Sequence, residues 1–444
     1  CFDDSGGRVA PHCPIVARIE SQTAPSHKRI SPTMEKSEFF KDARNDITGP
    51  LAGVRVLEAT TTWAGPMCGC MLADFGADVI KVEHPLGEVA RRSPPFLPGT
   101  EPPLSFMHHT VNRNKRSLSL DLHDQRGREI FLQLAERADV VVENFRPGTL
   151  SGWGLGYEDV RRRRPDTVYV SISGYGQFGP ESGRVGYDPL AQAESGFISL
   201  NGSPDDEGVK TPTFLGDDLA GLHGALGALA ALRHRDATGE GQHIDVALLD
   251  GLLFQSAGYL TLGAMGVDLP RLGNEFRVAA PARTYACRDG NVMAGVLLDT
   301  HWKTLARVIG KPELADDPRY SVAKERIDRR SEVDRIVADW MRERSLAEVL
   351  REFGDAGIPA GAVCTYAEAA NAPNTAARDM LQRVPDPASG THSPPITGPA
   401  AKFSRTPTRV RSSAPTLGQH NDEILAELGL SDEELGSLRE DGVV

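Results

Sequence analysis

VRVLEATTTWAGPMCGCMLADFGADVIKVEHP, residues 54–85, alternates a strand pattern with a helix pattern and then returns to a strand. VRVLEAT (54–60) is a short Val-rich strand, and GPMCGCMLADFGA (65–77) reads as a helix with a glycine near its end. DVIKVEHP (78–85) is the second strand, closed by a proline that cannot continue a ladder. Two strands joined through a helix form a βαβ unit, whose strands run parallel.

Working outward, the same alternation continues. NRNKRSLSLDL (112–122) is strand-like. DQRGREIFLQLAERA (124–138) carries Ile130, Leu134 and Ala138 on one helical face, with DVVVENF (139–145) as the strand behind it. YEDVRRRRPD and TVYVSIS make another helix–strand pair, ending at 173. Short Val-rich strands fit burial on both faces. TFLGDDLAGLHGALGALAALRHR (213–235) repeats Leu219, Leu222, Leu226 and Leu229 at helical spacing, beside a stripe of Gly221, Gly224 and Gly227. Each interior glycine costs a helix about 1 kcal/mol relative to alanine, so close packing of another backbone is the expected compensation. Beyond about 270 the texture changes. RTYACRDGNVMAGVL reads as an antiparallel pair turning at Asp289-Gly290, and charged helices follow.

The fold class is therefore α/β: a Rossmann-like parallel sheet in a large domain, discontinuous in sequence, with a smaller α+β domain inserted. The expected boundaries are a disordered N-terminal extension over 1–48, the large domain from 49–255, the small domain at 270–335, and a return to the large domain over 340–444. Residues 1–33 show no sustained period and no apolar signal-peptide core, and are set apart from the fold.

VYVSISGYGQFGP (168–180) presents the spacing G-x-G-x-x-G after a strand, which suggests a dinucleotide site. That fingerprint needs a helix after its glycines. Here Pro180, Glu181, Ser182 and Gly183 follow, which is turn chemistry, so half of the required context is missing and the match is weak.

The formal net charge of −12 argues against general nucleic-acid binding, and no apolar run is long enough to span a membrane. RRRR at 161–164 reads as a solvated face. Cys68-Gly69-Cys70 is too close for a zinc knuckle and lies in an apolar segment, so buried reduced thiols, no metal and a cytoplasmic location are expected.

Ligands of open parallel sheets gather at strand C-termini and helix N-termini. TTWAGP (61–66), ENFRPG (143–148) and LGDD (215–218) are the loops in question. Asp217 or Asp218 would suit the N-cap of the glycine-striped helix, and a carboxylate there could also act as a nucleophile.

PLAGVRVLEAT, LADFGADVIKVEHP, NRNKRSLSLDL, ADVVVENFRPG, GYGQFGP with GYDPLAQAESG, FLGDDLAGLHGALGALAAL, GEGQHIDVALLD and LGQHNDEILAELGL occur in this order over 49–444. Together they resemble the signature blocks of class III CoA-transferases, a family that includes formyl-CoA and carnitine CoA-transferases and an α-methylacyl-CoA racemase branch. The resemblance implies a CoA-transferase (an EC 2.8.3-type enzyme) with Asp217 as catalytic nucleophile. CoA would then move from an acyl-CoA to a carboxylic acid through an aspartyl anhydride and an aspartyl-CoA thioester. It implies coenzyme A or acyl-CoA as substrate, no tightly bound cofactor, and an interlocked homodimer. Its CoA-binding positions fall on Thr62, Trp63, Ala64, His84, Leu120, Leu122, His123, Asn144 and Phe145, with Tyr187 and Asp188 close by. Formyl-CoA transferases place Gln where Trp63 stands and basic residues where His84, His123, Gly152 and Val185 stand; Arg91, with Arg92, Lys115 and Arg116, is the substitute cation for the CoA phosphates. The alternative is an acyl-CoA racemase acting at the carbon beside the thioester. That branch carries His-Asp where this chain has Tyr187-Asp188, and tyrosine is a poor base near neutral pH. His223 is the substitute base that reading would need. A non-catalytic CoA-binding homologue is disfavoured by the presence of Asp217.

Overall fold

The computed structural model describes residues 34–386 and 390–444. Its centre is a six-stranded, wholly parallel sheet made of β1 (Arg55–Ala59), β2 (Asp78–Glu83), β3 (Lys115–Ser119), β4 (Val140–Glu143), β5 (Val168–Ser173) and β6 (Gln242–Ala247). The strands lie in the order β3-β2-β1-β4-β5-β6. This is the doubly wound order, in which the chain turns back between β1 and β4 and leaves a crevice at their C-terminal ends.

Both faces of the sheet are covered, as the Val-rich strands require. On one face α1 (Ala64–Asp74) and the long α5 (Leu215–Thr238) pack over Val56, Val140, Val142, Val168, Val170 and Ile172. On the other, α2 (Gln125–Arg137), α3 (Tyr157–Arg163), α10 (Asn421–Glu427) and α11 (Asp432–Glu440) cover Leu57, Val82, Leu118, Val141 and Tyr169. Between β5 and α5 lies α4 (Asp188–Glu194), and α6 (Leu248–Phe254) follows β6.

The glycine stripe of α5 does what its cost demanded. A Cβ on Gly221 would stand 2.9 Å from Met67, and one on Gly224 would stand 3.1 Å from the Cys68 sulfur, so α1 and α5 meet almost backbone to backbone. The buried stripe is made of small residues, among them Ala220, Gly221, Gly224, Ala225 and Ala228. Leu222 and Leu226 point outward instead, 41% and 58% exposed.

The smaller unit takes in Leu272–Ala377 with the short stretch Ser203–Asp205; the larger holds Glu35–Gly202, Asp206–Arg271 and Arg378–Val444. In the smaller unit β7 (Ala282–Ala286) pairs antiparallel with β8 (Asn291–Gly295) through the Asp289-Gly290 turn, and β9 (Ala360–Ala362) adds to β8. Helices α7 (Asp299–Val308), α8 (Arg330–Arg342) and α9 (Leu346–Asp355) complete it. The sequence placed the return to the large domain near 340, but Trp340 and Phe353 pack with Tyr285 and Trp302 in the smaller unit's core, and the chain rejoins the larger unit at Arg378. The charged exteriors of α8 and α9 hid that shared core. The expected disorder over 1–33 lies outside the described residues. Within 34–48 the structure differs from that expectation: a one-turn helix forms at Lys36–Phe39, and the Thr48 hydroxyl donates to Gly76 O at 2.7 Å.

The arginine run behaves as a solvated face. Arg163 bridges Glu129 and Glu136, and Arg164 bridges Asp139 and Asp166. Cys68 and Cys70 are free, fully buried thiols; burial pushes Cys70 up to about 12, and Cys68 also up.

Candidate active site

The crevice between β1 and β4 is lined by the loop Thr60–Trp63 and by Asn144. Asn144 clips the loop as a second backbone would: its Oδ1 accepts from Thr61 N at 2.8 Å, and its Nδ2 donates to Thr61 O at 2.9 Å. Gly65 leaves room for this, because a Cβ there would meet Thr60 and Asn144 within 2.8 Å. Thr62 adopts a left-handed φ of 69°, which for a β-branched residue costs about 1–3 kcal/mol. Trp63 turns inward against Phe214, ring centroids 4.7 Å apart, and its indole Nε1 donates to Asp218 Oδ1 at 2.7 Å. Ala64 opens α1 and is buried.

Asp217 and Asp218 both lie in the first turn of α5, but neither is its N-cap. That position is Phe214, which makes no side-chain cap bond. The capping is supplied from outside by Asp188 at the start of α4. Its Oδ1 accepts from Gly216 N at 2.6 Å, and its Oδ2 accepts from Gln192 Nε2 at 2.8 Å. Asp188 is thereby a buried positioning residue. Gly216 suits this contact, since a Cβ on it would crowd Asp188 Oδ1 and Leu252 at 3.1 Å each.

With Asp188 capping and Asp218 bound to Trp63, Asp217 is left with no side-chain hydrogen bond to any described residue. Burial, then the charges of Asp188 and Asp218, push its carboxyl up to about 7. Burial also raises Asp218, against the opposing pull of the Trp63 hydrogen bond. A partly desolvated carboxylate without donors is more nucleophilic than a solvated one.

The other predicted positions divide into two groups. His84 and His123 are exposed at the ends of β2 and β3, and both face Asp121. His123 Nδ1 lies 3.0 Å from Asp121 Oδ1, and His84 Nε2 lies 3.8 Å from the same atom. Among the described residues these three could bring one ligand atom each within 4.8 Å of one another. However, Leu86 N donates to His84 Nδ1, which leaves the hydrogen on Nε2. With Nδ1 taken by Leu86 N and Nε2 protonated, His84 has no lone pair left for a metal ion and acts as a hydrogen-bond donor. His123 also meets Trp153 edge-on at 4.6 Å, and Trp153 meets Phe145 at 5.7 Å. Tyr187 is 62% exposed and caps α4 by backbone position alone.

Leu120 and Leu122 instead turn their side chains into the core, so only their backbone is available at the crevice. Of the substitute cations, Arg92 is exposed, whereas Arg91, Lys115 and Arg116 are committed elsewhere. Arg91 binds Glu83 through Nε and Nη2, at 2.7 and 2.6 Å, and donates to Pro415 O. Lys115 is fully buried on Glu58, and Arg116 is held by Asp78, Glu423 and Glu427. Their strand and loop positions look solvent-facing in sequence, but the acidic partners come from distant segments. Trp153, Asp121 and Glu88 were missed for a related reason: each matters through a contact that only the fold creates.

GYGQFGP closes over β5 without a helix behind it. Gly176 and Gly179 have φ of 87° and 102°, and Gly174 packs so closely on Gly186 that a Cβ would stand 2.6 Å from the Gly186 Cα. Gln177 N donates to Asp245 Oδ2 at 2.9 Å, which pins the loop.

A doubly wound sheet with a donor-free aspartate over its switch point accords with the relatives found by comparison. Residues 51–421 match the model of CoA-transferase family III. Over 391 residues the chain is 37% identical to a succinyl-CoA:mesaconate CoA-transferase of Haloarcula hispanica, covering 86% of this chain and 97% of that one. It is 38% identical over 405 residues to the beta subunit of a succinyl-CoA–L-malate CoA-transferase of Chloroflexus aurantiacus, covering 89% and 98%. A crystal structure of a CAIB/BAIF family protein from Brucella suis superposes with a TM-score of 0.76 at 34% identity, covering 86% of this chain and all of that one. The chain belongs to CoA-transferase family III, and is a CoA-transferase.

Proposed function

We propose that Asp217 is the nucleophile of a CoA transfer between two carboxylic acids, with succinyl-CoA as donor and a small dicarboxylic acid as acceptor. The observation that carries this is the state of the three aspartates: Asp188 and Asp218 are hydrogen-bonded, and Asp217 alone is not. The substrate class follows the relatives named for succinyl-CoA with mesaconate, malate or citramalate, and for succinate with glutarate. In the first step the Asp217 carboxylate attacks the thioester carbonyl. The C–S bond breaks, leaving an acyl-aspartyl anhydride and CoA thiolate. The thiolate attacks the aspartyl carbonyl, the donor acid leaves, and an aspartyl-CoA thioester remains. The acceptor carboxylate attacks that thioester and expels the thiolate, giving a second anhydride. The thiolate then takes the acceptor's acyl group and restores the Asp217 carboxylate. The thioester's free energy is kept throughout, so no ATP is consumed.

His84, through its Nε2–H, is the donor proposed for the anionic end of CoA, with His123, Trp153 and Phe145 as an aromatic ledge beside it. Thr62, Trp63 and Ala64 flank the acyl end. The racemase reading gains nothing from the site. Tyr187 stands where a base is needed, and His223 Nε2 is buried with no hydrogen-bond partner among the described residues, its ring edge-on to Phe254 at 5.3 Å. A homodimer completes the proposal, and the exposure of Leu222, Leu226 and Phe254 on the larger unit supports it.

The test is incubation with succinyl-CoA, hydroxylamine trapping and peptide mapping. A label on the Asp217 peptide, and no exchange by a folded Asp217→Ala variant, is the expected result. Exchange retained by that variant overturns the covalent route. Deuterium uptake beside the thioester in heavy water, without an acceptor acid, would move the assignment to a racemase.

A further inference from the structure

Behind the catalytic loop lies a buried set of three carboxyl groups, Glu58, Glu83 and Glu88, and three bases, Lys81, Lys115 and Arg91. Lys81 is fully buried. Its Nζ donates to Thr60 O at 2.9 Å and lies 3.2 Å from Glu88 Oε1. The other oxygen of Glu88 accepts from Thr62 N at 2.7 Å. With Asn144 on both polar atoms of Thr61, three successive residues of one loop are each gripped through their backbone by a side chain. Burial alone would discharge Lys81; the carboxylates of Glu88, Glu58 and Glu83 outweigh it and hold its ammonium above the ordinary lysine range.

An apolar pair of equal volume would fill this space with a smaller desolvation cost. It could supply neither the donor that Thr60 O receives nor the acceptor that Thr62 N finds. The second of these contacts falls on the residue with the left-handed φ, and the residue after it is Trp63. We propose that the buried Lys81–Glu88 pair is a positioning device: it holds Thr60 and Thr62 so that the Trp63 indole is delivered onto Asp218, beside Asp217. Neither residue touches the reacting atoms. Both act through the loop, and the inference rests on Asp217 being the nucleophile.

Glu88→Ala and Glu88→Gln test it. The first removes both contacts of the carboxylate; the second keeps an acceptor for Thr62 N but loses the charge facing Lys81. For each, kcat and KM for succinyl-CoA are measured with the emission due to Trp63, taken as the difference between that variant and its Trp63→Phe counterpart. The expected result is a shift of the Trp63 emission, with kcat lowered about tenfold or more in Glu88→Ala and less in Glu88→Gln, and KM changed less than about threefold. A kcat loss with unchanged Trp63 emission overturns the proposal, as does a lowered melting temperature with unchanged kcat. Should Glu88→Ala not fold, Glu88→Gln decides on the same readouts. The emission is read without substrate, so a wild-type enzyme that forms no adduct at Asp217 defeats the functional reading and leaves this result interpretable.

Discussion

As the proposed nucleophile, Asp217 would have to be ionised to attack, yet its surroundings favour the proton. With its carboxyl pushed up to about 7, activity should fall about tenfold per pH unit below that value, and kcat/KM measured from pH 5 to 9 checks this. Asp218→Asn removes one like charge while leaving an oxygen for the Trp63 indole, so the acidic limb should move to lower pH. The same shift has a stability consequence. An acid whose folded pKa lies above its unfolded value of 3.8 stabilises the fold fully below 3.8, and that contribution is lost as pH rises through about 7. Asp217→Asn, which stays neutral, should therefore melt higher than the wild type at pH 8, with the difference shrinking toward pH 4. Calorimetry across that range decides it. Asp217 was legible in the sequence as the aspartate of the L-G-D block. That Asp188 does the capping was not, because the bond from Gly216 spans 28 positions and no local spacing announces it.

At the scale of elements, α1 is placed by what its glycines permit. A Cβ on Gly69 would fall on the Glu58 carboxylate, which is held between Lys115 and Lys81. Alanine would improve helix propensity by about 1 kcal/mol, but displacing a buried ion pair costs about 3–5 kcal/mol, so the second effect wins. Gly69→Ala should lose about 2–4 kcal/mol in urea unfolding. The strands and helices of the parallel sheet were readable because periodicity and Val content reflect burial directly, as at Val140–Glu143. The outward direction of Leu222 and Leu226 was not. Leucines at helical spacing usually mark a core face, and here the core face is the glycine and alanine stripe beside α1.

For the whole molecule, the sheet order puts the site at the reversal between β1 and β4, so the fold chooses where chemistry can occur before any side chain does. Sedimentation equilibrium should give twice the chain's mass, and a monomer at micromolar concentration would set the proposed dimer aside. The closing LGQHN block matched the family, but its physical task is visible only in three dimensions. His420 Nδ1 and Asn421 Oδ1 accept from Ser117 N and Ser119 N, the outward-facing amides of β3. β3 is an edge of the sheet, and unpaired edge amides invite pairing with another chain. During synthesis that edge is made some 300 residues before the side chains that seal it. A nascent chain halted after β6 but before His420 carries all six strands with the β3 rim still open. For this protein, the late-made His420 and Asn421 are what close the rim of a sticky intermediate.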